Sequence, residues 1–340
     1  MTRGSTALPA ALVALAVSTA LGAALAELTR IEVVLAAKRR ALAIALAAAD
    51  ACLTEIVAGV PPGWDFAPLL AGPDGRSGTA DDGVPPAPAG CTARARPAPG
   101  AIDPPRAVVA LDAVAGGGRR ALEALVGREA EPGVPALLWL GATPGADLAG
   151  ELTLEGAAAD DAAAPDWSGL AAPDDPAALD RWLANQGPHL VASARTQAAL
   201  HADPPPLAAL LERVRAAGPR GGESLVPTEA PPAALALVEG DLVVSGALHG
   251  AGLLVVGGAL DIRGALDFTG VVVVASGIRV ADGAQLTIAG ALWAGPPAAA
   301  VPLDVSGRVA LRQQRAALVA ADQLLPLPRR PRLLGLRDLP

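Results

Sequence analysis

From Ala7 to Ala26 the chain runs twenty residues without a charge, and the thirty-two residues that follow, 27–58, contain no Gly or Pro. At about 1.5 Å per residue, an uncharged helix of the first length spans roughly 30 Å, the thickness of a bilayer core. Ala is only weakly hydrophobic, so Leu8, Leu12, Val13, Leu15, Val17, Leu21 and Leu25 carry most of the insertion energy. Residues 27–58 consist mainly of good helix formers. In them Leu42, Leu46, Ala49, Leu53 and Ile56 recur at steps of 4, 3, 4 and 3, with Leu28 and Leu35 on the same seven-residue repeat and charges on the remaining positions. Together the two parts predict one helix of roughly fifty residues, about 80 Å long. A cleaved secretory signal, a lasting membrane helix and a buried soluble helix all satisfy the apolar run. Ala24-Leu25-Ala26 fits the small-x-small cleavage rule. The absence of any breaker after it argues for one continuous helix.

The rest of the chain narrows the class further. Gly and Pro, 38 and 33 of 340 residues, predict many turns and thin layers, and 52% apolar residues exclude a wholly disordered chain. A net charge of −8 excludes the broad basic face that nucleic acid requires. Two Cys and three scattered His exclude a Cys-rich zinc fold. GGGRR at 116–120 lacks the Gly-Lys-Ser/Thr ending of a phosphate loop and reads as a turn.

The clearest repetition lies at residues 236–295. Short runs of Leu and β-branched residues, Leu253–Val256, Val271–Val274 and Ala291–Ala294, start 18 and 20 residues apart, with Gly-bounded strands between them. Near-constant spacing with recurring Gly predicts successive coils of a β-helix-like stack, and an antiparallel sandwich of hairpins is the competing reading.

Two sets of residues resemble a known family. Arg3-Gly4-Ser5, followed directly by the apolar stretch and a continuous amphipathic helix, resembles a type IV pilin-like leader. That resemblance implies cleavage between Gly4 and Ser5 by a prepilin peptidase, methylation of Ser5, and a helix that anchors in the inner membrane and packs with other pilin or pseudopilin subunits. Major pilins carry a Glu five residues into the mature chain; Pro9 stands there here, which implies a minor subunit. Gly240-Asp241-Leu242, the Gly-bounded strands from Gly252 to Gly264, and Phe268 to Val274 resemble the end of PilX-like minor pilins.

Cys52 lies in the last turns of the long helix and Cys91 in a Pro/Gly-rich loop. An even pair in an exported region suggests a disulfide closing about forty residues, worth about 3–4 kcal/mol, and two free thiols are the other reading. Between them Asp74, Thr79, Asp81 and Asp82 fall within nine residues broken by Gly75 and Gly78. Hard cations such as Ca2+ want six to eight oxygens, and similar Gly/Asp loops occur in pilin-like proteins, so these four residues are the candidate calcium ligands. A solvated acidic turn is the alternative. No cofactor is otherwise required.

In the middle, Val108–Val114 and Pro135–Leu140 read as strands, Arg119–Val126 as a helix, and 188–217 as a short helical region broken at Pro204–Pro206. The carboxylates Asp160, Asp161, Asp166, Asp174, Asp175 and Asp180 around Trp167 and Trp182 read as loop and cap residues. His189, His201 and His249 show no ligand spacing. Residues 308–340 carry a local charge of +5, suited to an acidic partner, acidic lipid or the chain's own acidic loops, or to a disordered end.

The expectation is therefore an α+β chain in which a long N-terminal transmembrane-plus-amphipathic helix precedes a mainly β exported region ending in a short β-helix-like stack. Its expected parts are a leader at 1–4, the helix at 5–58, a Pro/Gly-rich loop at 59–106, a mixed middle at 107–235, the repeats at 236–295 and a Pro/Arg-rich tail at 296–340. No catalytic constellation is present. The expected role is a single-pass inner-membrane minor pilin-like subunit of a pilus or pseudopilus. The alternative is a Sec-exported β-helix surface protein cleaved after Ala26.

Overall fold

The computed structural model describes residues 7–61, 63–100, 106–128, 136–156, 168–172, 176–192, 199–201, 207–218, 232–295 and 303–339. Gly4 and Ser5 lie outside them, as do Asp160, Asp161, Asp166, Trp167, Asp174 and Asp175. The chain is α+β: one long apolar helix, Ala7–Ala58, precedes a mostly β region. No break occurs at Ala24–Ala26, in keeping with the unbroken run of helix formers there.

The helix changes character along its length. Leu12, Val13, Leu15, Val17, Leu21 and Leu25 are all more than half exposed, whereas Ala45, Ala49, Cys52, Leu53 and Ile56 are buried. Of the 4-3-4-3 set, Ala49, Leu53 and Ile56 are in this buried face, which packs on an antiparallel sheet of strands Cys91–Pro97, Arg106–Ala115, Gly118–Arg128 and Pro331–Leu339, in that order. Arg119–Val126, expected as a helix, is strand. Alternation prevails over propensity here: Leu122, Ala124 and Val126 face the helix beside Ala107, Val109, Leu111 and Ala113. The triple glycine starts the strand, because Ala115 pairs with Gly118 and both residues between them, Gly116 and Gly117, have positive φ (60° and 77°), as a type I′ hairpin demands. The expected loop at 59–106 likewise contains a strand, Cys91–Pro97, paired antiparallel with Arg106–Ala115.

Beyond this sheet the pairing becomes parallel throughout. One ladder runs Leu242–Val244, Leu260–Ile262, Ile278–Val280, Leu303–Val305. A second, longer sheet contains Ala234–Val238, Ala247–Val256, Ala265–Val274, Gln285–Ala294 and Arg308–Arg312. Leu253, Val271 and Ala291 are register partners, so the 18- and 20-residue spacings both close without a slip. Antiparallel hairpins would not give this pattern.

The parallel sheet is not confined to 236–295. Glu151–Glu155 pairs with Arg308–Arg312, and Ala136–Leu140 pairs with the end of Gln285–Ala294. Leu190–Ala192, Ser168–Ala172 and Ala199–His201 extend the sheet from there. Residues 136–201 thus add layers beyond residue 312, and the chain returns to residue 234 to begin the opposite end. Residues 188–217, expected as helical, hold a 3-10 turn, two strands and one helix, Leu207–Ala217.

Each long strand passes through a glycine at a matching place. Gly252, Gly270 and Gly290 are register partners with φ of 104°, 143° and 150°. Before the glycine, burial alternates; after it, both faces are buried. Leu254, Val256, Val272, Val274 and Leu292 point into the interior with Phe268 and Ile288. Leu253, Val255, Val271, Val273 and Trp293 point outward, under Leu207, Leu210 and Val214 of one helix and Leu318 and Ala321 of another, Arg315–Leu324. Each Leu or Val buried this way contributes roughly 1.5–3 kcal/mol. The Pro/Arg-rich tail, for which a disordered end is one sequence reading at 308–340, holds strands and a helix between Leu303 and Leu339 and closes the antiparallel sheet.

Candidate functional site

The part of the molecule that its own core does not use is the first half of the helix. It is long and apolar enough to cross a membrane by length and composition, a test that a signal sequence near the N-terminus also passes. Its charged residues start at Glu27, where Arg30 pairs with it at 3.8 Å in the next turn.

The base of that helix is held three ways. Cys52 and Cys91 form a disulfide between helix and sheet. Gly118 lets the two backbones meet, since a Cβ there would lie 2.4 Å from the Ala41 carbonyl oxygen. At the helix exit, the Arg128 guanidinium donates from Nε to the Asp65 carbonyl (3.0 Å) and from Nη1 to the carbonyls of Pro61 (2.8 Å) and Arg329 (2.9 Å). It also stacks over Phe66, 4.6 Å from the ring centre. Burial lowers the Arg128 pKa to about 10, so the group remains charged at neutral pH. Nearby, Trp64 Nε1 donates to the Pro326 carbonyl (2.8 Å), and Arg213 sits over the Trp64 ring at 4.9 Å. Sequence reasoning missed Arg128 and Gly118. Nothing in the local pattern marks one Arg among 25 as buried, or one glycine of a turn as a contact point.

Breaking the Cys52–Cys91 bridge frees a 39-residue separation, so Cys91→Ser is expected to cost about 3 kcal/mol. Denaturant unfolding of the variant against the oxidised parent checks this, and reduction of the parent should reproduce the loss.

Asp74, Thr79, Asp81 and Asp82 do come together. Thr79 Oγ1 donates to Asp81 Oδ1 at 2.7 Å, with Asp82 Oδ1 at 3.2 Å and Asp74 Oδ1 at 3.5 Å. The carboxylates, however, are turned onto backbone N–H groups. Asp82 accepts from Gly78 (2.7 Å), Asp74 from Arg76 (2.8 Å) and Asp81 from Asp74 (3.3 Å). Among the described residues no group of three or more His, Cys, Asp or Glu side chains is placed to hold a metal ion. As they stand the four residues do not fit a calcium site, which needs oxygens facing one shared centre. The Thr79 hydroxyl holds the Asp81 carboxyl below the usual carboxylate range. Thr79→Val is expected to return it upward, read by the Asp81 carboxyl carbon shift in an NMR pH titration.

The remaining candidates are structural in geometry. The His189 Nδ1 lies 2.8 Å from the Gly150 carbonyl, and His249 Nδ1 lies 4.0 Å from Asp267. The side chain of His201 is outside the described residues. Trp182 Nε1 donates to the Ala146 carbonyl at 3.0 Å, so its ring is a packing residue with a satisfied polar end. The tail's charges pair within the chain: Arg337 bonds Glu123 at 2.7 Å, Asp338 pairs with Arg120, and Arg329 pairs with Asp322 inside the tail itself.

No protein-family model matches the chain, and no curated protein matches it. Among solved structures, the crystal structure of competence-associated pilin ComZ from Thermus thermophilus is similar at 13% identity, covering 89% of this chain and 97% of that one with a TM-score of 0.23. A likeness of that size does not establish a shared fold.

Proposed function

We propose that the chain is a membrane-anchored structural subunit of a type IV pilin-like filament, a PilX-like minor subunit acting in priming, assembly or tip presentation rather than in catalysis. The carrying observation is the two-part helix, apolar and exposed over its first half and disulfide-tied to a sheet over its second. An exposed run of Leu and Val is costly in water and stable in lipid or among other apolar helices. The Arg3-Gly4-Ser5 leader supports processing between Gly4 and Ser5 by a prepilin peptidase, with methylation of Ser5. The helix would then sit once across a bacterial inner membrane, and later against the helices of other pilin or pseudopilin subunits.

In the same reading the parallel ladders are coils of a β-helix-like stack that faces the periplasm or the filament surface. The in-register glycines and the doubly buried half-strands support it. A stack of this kind is a stiff body on which loops and helices are displayed.

The test is intact-mass and N-terminal peptide mass spectrometry on protein from its native membrane. An N-methylated chain beginning at Ser5 supports the reading. A chain beginning at Glu27 overturns it and leaves a Sec-exported surface protein cleaved after Ala26.

A further inference from the structure

The strand that completes the helix-bearing sheet comes from the far end of the sequence. Pro331–Leu339 pairs antiparallel with Gly118–Arg128, over 200 residues earlier. The residues leading into it are fixed elsewhere: Leu325 and Leu327 are buried with the outward face of the parallel sheet, and Asp322 Oδ1 accepts from the Leu327 N–H at 2.8 Å. The strand itself is nearly all exposed, with Leu333, Leu334 and Leu336 each over 40% accessible. A strand that buries little side-chain area opens at a cost well below that of global unfolding.

Its seat is nonetheless cut to its sequence. The register shifts between Leu333 and Gly335, which displaces Leu334 out of the ladder and over Gly127. A Cβ on Gly127 would lie 2.5 Å from Leu334 Cδ1, the free end of an exposed side chain, so the leucine packs directly over the glycine. At the other end Glu123 receives Arg337 and Arg120 receives Asp338, opposite charges at matched positions. Backbone ladders accept any strand; two ion pairs of opposite polarity favour this sequence in this direction.

We propose that the Gly118–Arg128 edge is a strand acceptor selective for residues 331–339, and that a second copy of this chain supplies that strand in exchange for the chain's own. The exchange makes the same contacts in cis and in trans, the condition under which strand swapping links copies at low cost. The cis strand competes at an effective concentration on the order of millimolar, so linkage occurs where copies are crowded to that level. The inference does not depend on the filament reading, since any crowded state of the chain suffices.

The test uses two full-length copies with different tags, one carrying Ala124→Cys and the other Leu336→Cys, which are register partners. They are mixed at about 1 mM, the crowding regime set by the cis competitor, and oxidised mildly. The double variant in a single chain serves as the reference for complete cross-linking. The expected result is a covalent pair of differently tagged chains, with peptide mapping placing the new disulfide between positions 124 and 336. Excess free peptide of sequence PRLLGLRDL should suppress the pair. Glu123→Arg in the acceptor copy, which sets like charges opposite Arg337, should lower its yield severalfold. Cross-linking of the single-chain double variant with no mixed-tag product would overturn the proposal, as would a mixed product indifferent to both the peptide and Glu123→Arg.

Discussion

Gly270→Val is expected to abolish the folded parallel sheet. A Cβ at that position would lie 1.9 Å from the Gly252 carbonyl oxygen, and its φ of 143° is one that a β-branched residue does not adopt. The layer above compounds the effect, because a Cβ on Gly290 would in turn lie 1.8 Å from the Gly270 carbonyl. Relief requires separating layers whose flanking residues, Val271–Val274, are all buried, so a loss on the order of 5 kcal/mol or more is expected, comparable to the whole stability of many domains. Far-UV circular dichroism and limited proteolysis of the purified variant check it. A variant that melts as the parent does would contradict the stacked-glycine geometry. Gly246→Ala is the matched control, since its site has open space around it and its φ is not positive.

The second large effect is expected from Arg128→Ala. The guanidinium satisfies carbonyls from the helix exit, Pro61 and Asp65, and from the C-terminal segment, Arg329, while lying against Phe66. Its removal takes the charged donor from three acceptors, of which the Arg329 carbonyl keeps the Gly63 N–H at 3.1 Å; charged hydrogen bonds of this kind contribute roughly 1.5–3 kcal/mol each, so a combined cost on the order of 4 kcal/mol follows after partial rehydration. Hydrogen exchange distinguishes this from a generic core defect. The non-proline amides among residues 63–66 and 327–339 should lose protection first, whereas Leu253–Val256 should keep it. Arg128→Lys should recover little, because an ammonium cannot span three carbonyls in the fork of a guanidinium.

The two halves of the molecule differ in how legible they were. The long helix and the repeated strands announce themselves by period: the 4-3-4-3 spacing of Leu42 through Ile56, and apolar runs 18 and 20 residues apart. Ile56 and Leu53 are buried where that spacing places them, and Leu253, Val271 and Ala291 stand opposite one another. Leu42 and Leu46 share the spacing yet are over 40% exposed, because at that level the hairpin meets the helix on Ala41 and Ala45 and leaves the two leucines to the side. Arg119–Val126 misled because Ala, Leu and Glu favour helix intrinsically, while the partners that make it a strand, Arg106–Ala115 and Pro331–Leu339, are fixed by tertiary structure. Pro135–Leu140 reads as a strand and Ala136–Leu140 is one, but the parallel layering of 136–201 was illegible for a related reason. Ala136–Leu140, Glu151–Glu155 and Ser168–Ala172 share no repeat length, and the strands that join the first two to the stack, Gln285–Ala294 and Arg308–Arg312, lie far later in the sequence, by 157 residues for Arg308 and Glu151. Of the candidate site residues, Cys52 and Cys91 proved to be bonded, and the acidic loop proved to be closed by its own backbone.

The order of layers in the parallel sheet differs from their order in the chain, and this sets a timetable for folding. Glu151–Glu155 and Ala136–Leu140 are synthesised early, but the strands that cover their open edge, Arg308–Arg312 and Gln285–Ala294, come later by as much as 157 residues, the separation of the Arg308–Glu151 pair. At the usual pace of translation that edge waits roughly 8–30 s for its partner. During this interval it offers unpaired backbone and the apolar Leu137–Leu140 run to any neighbouring nascent chain. The charges at the join then act as a gatekeeper: Glu151 and Glu155 repel an identical edge and admit one bearing Arg308 and Arg312. Neutralising both glutamates would therefore show first in the yield of correctly assembled protein, before any change in the melting temperature of what does assemble.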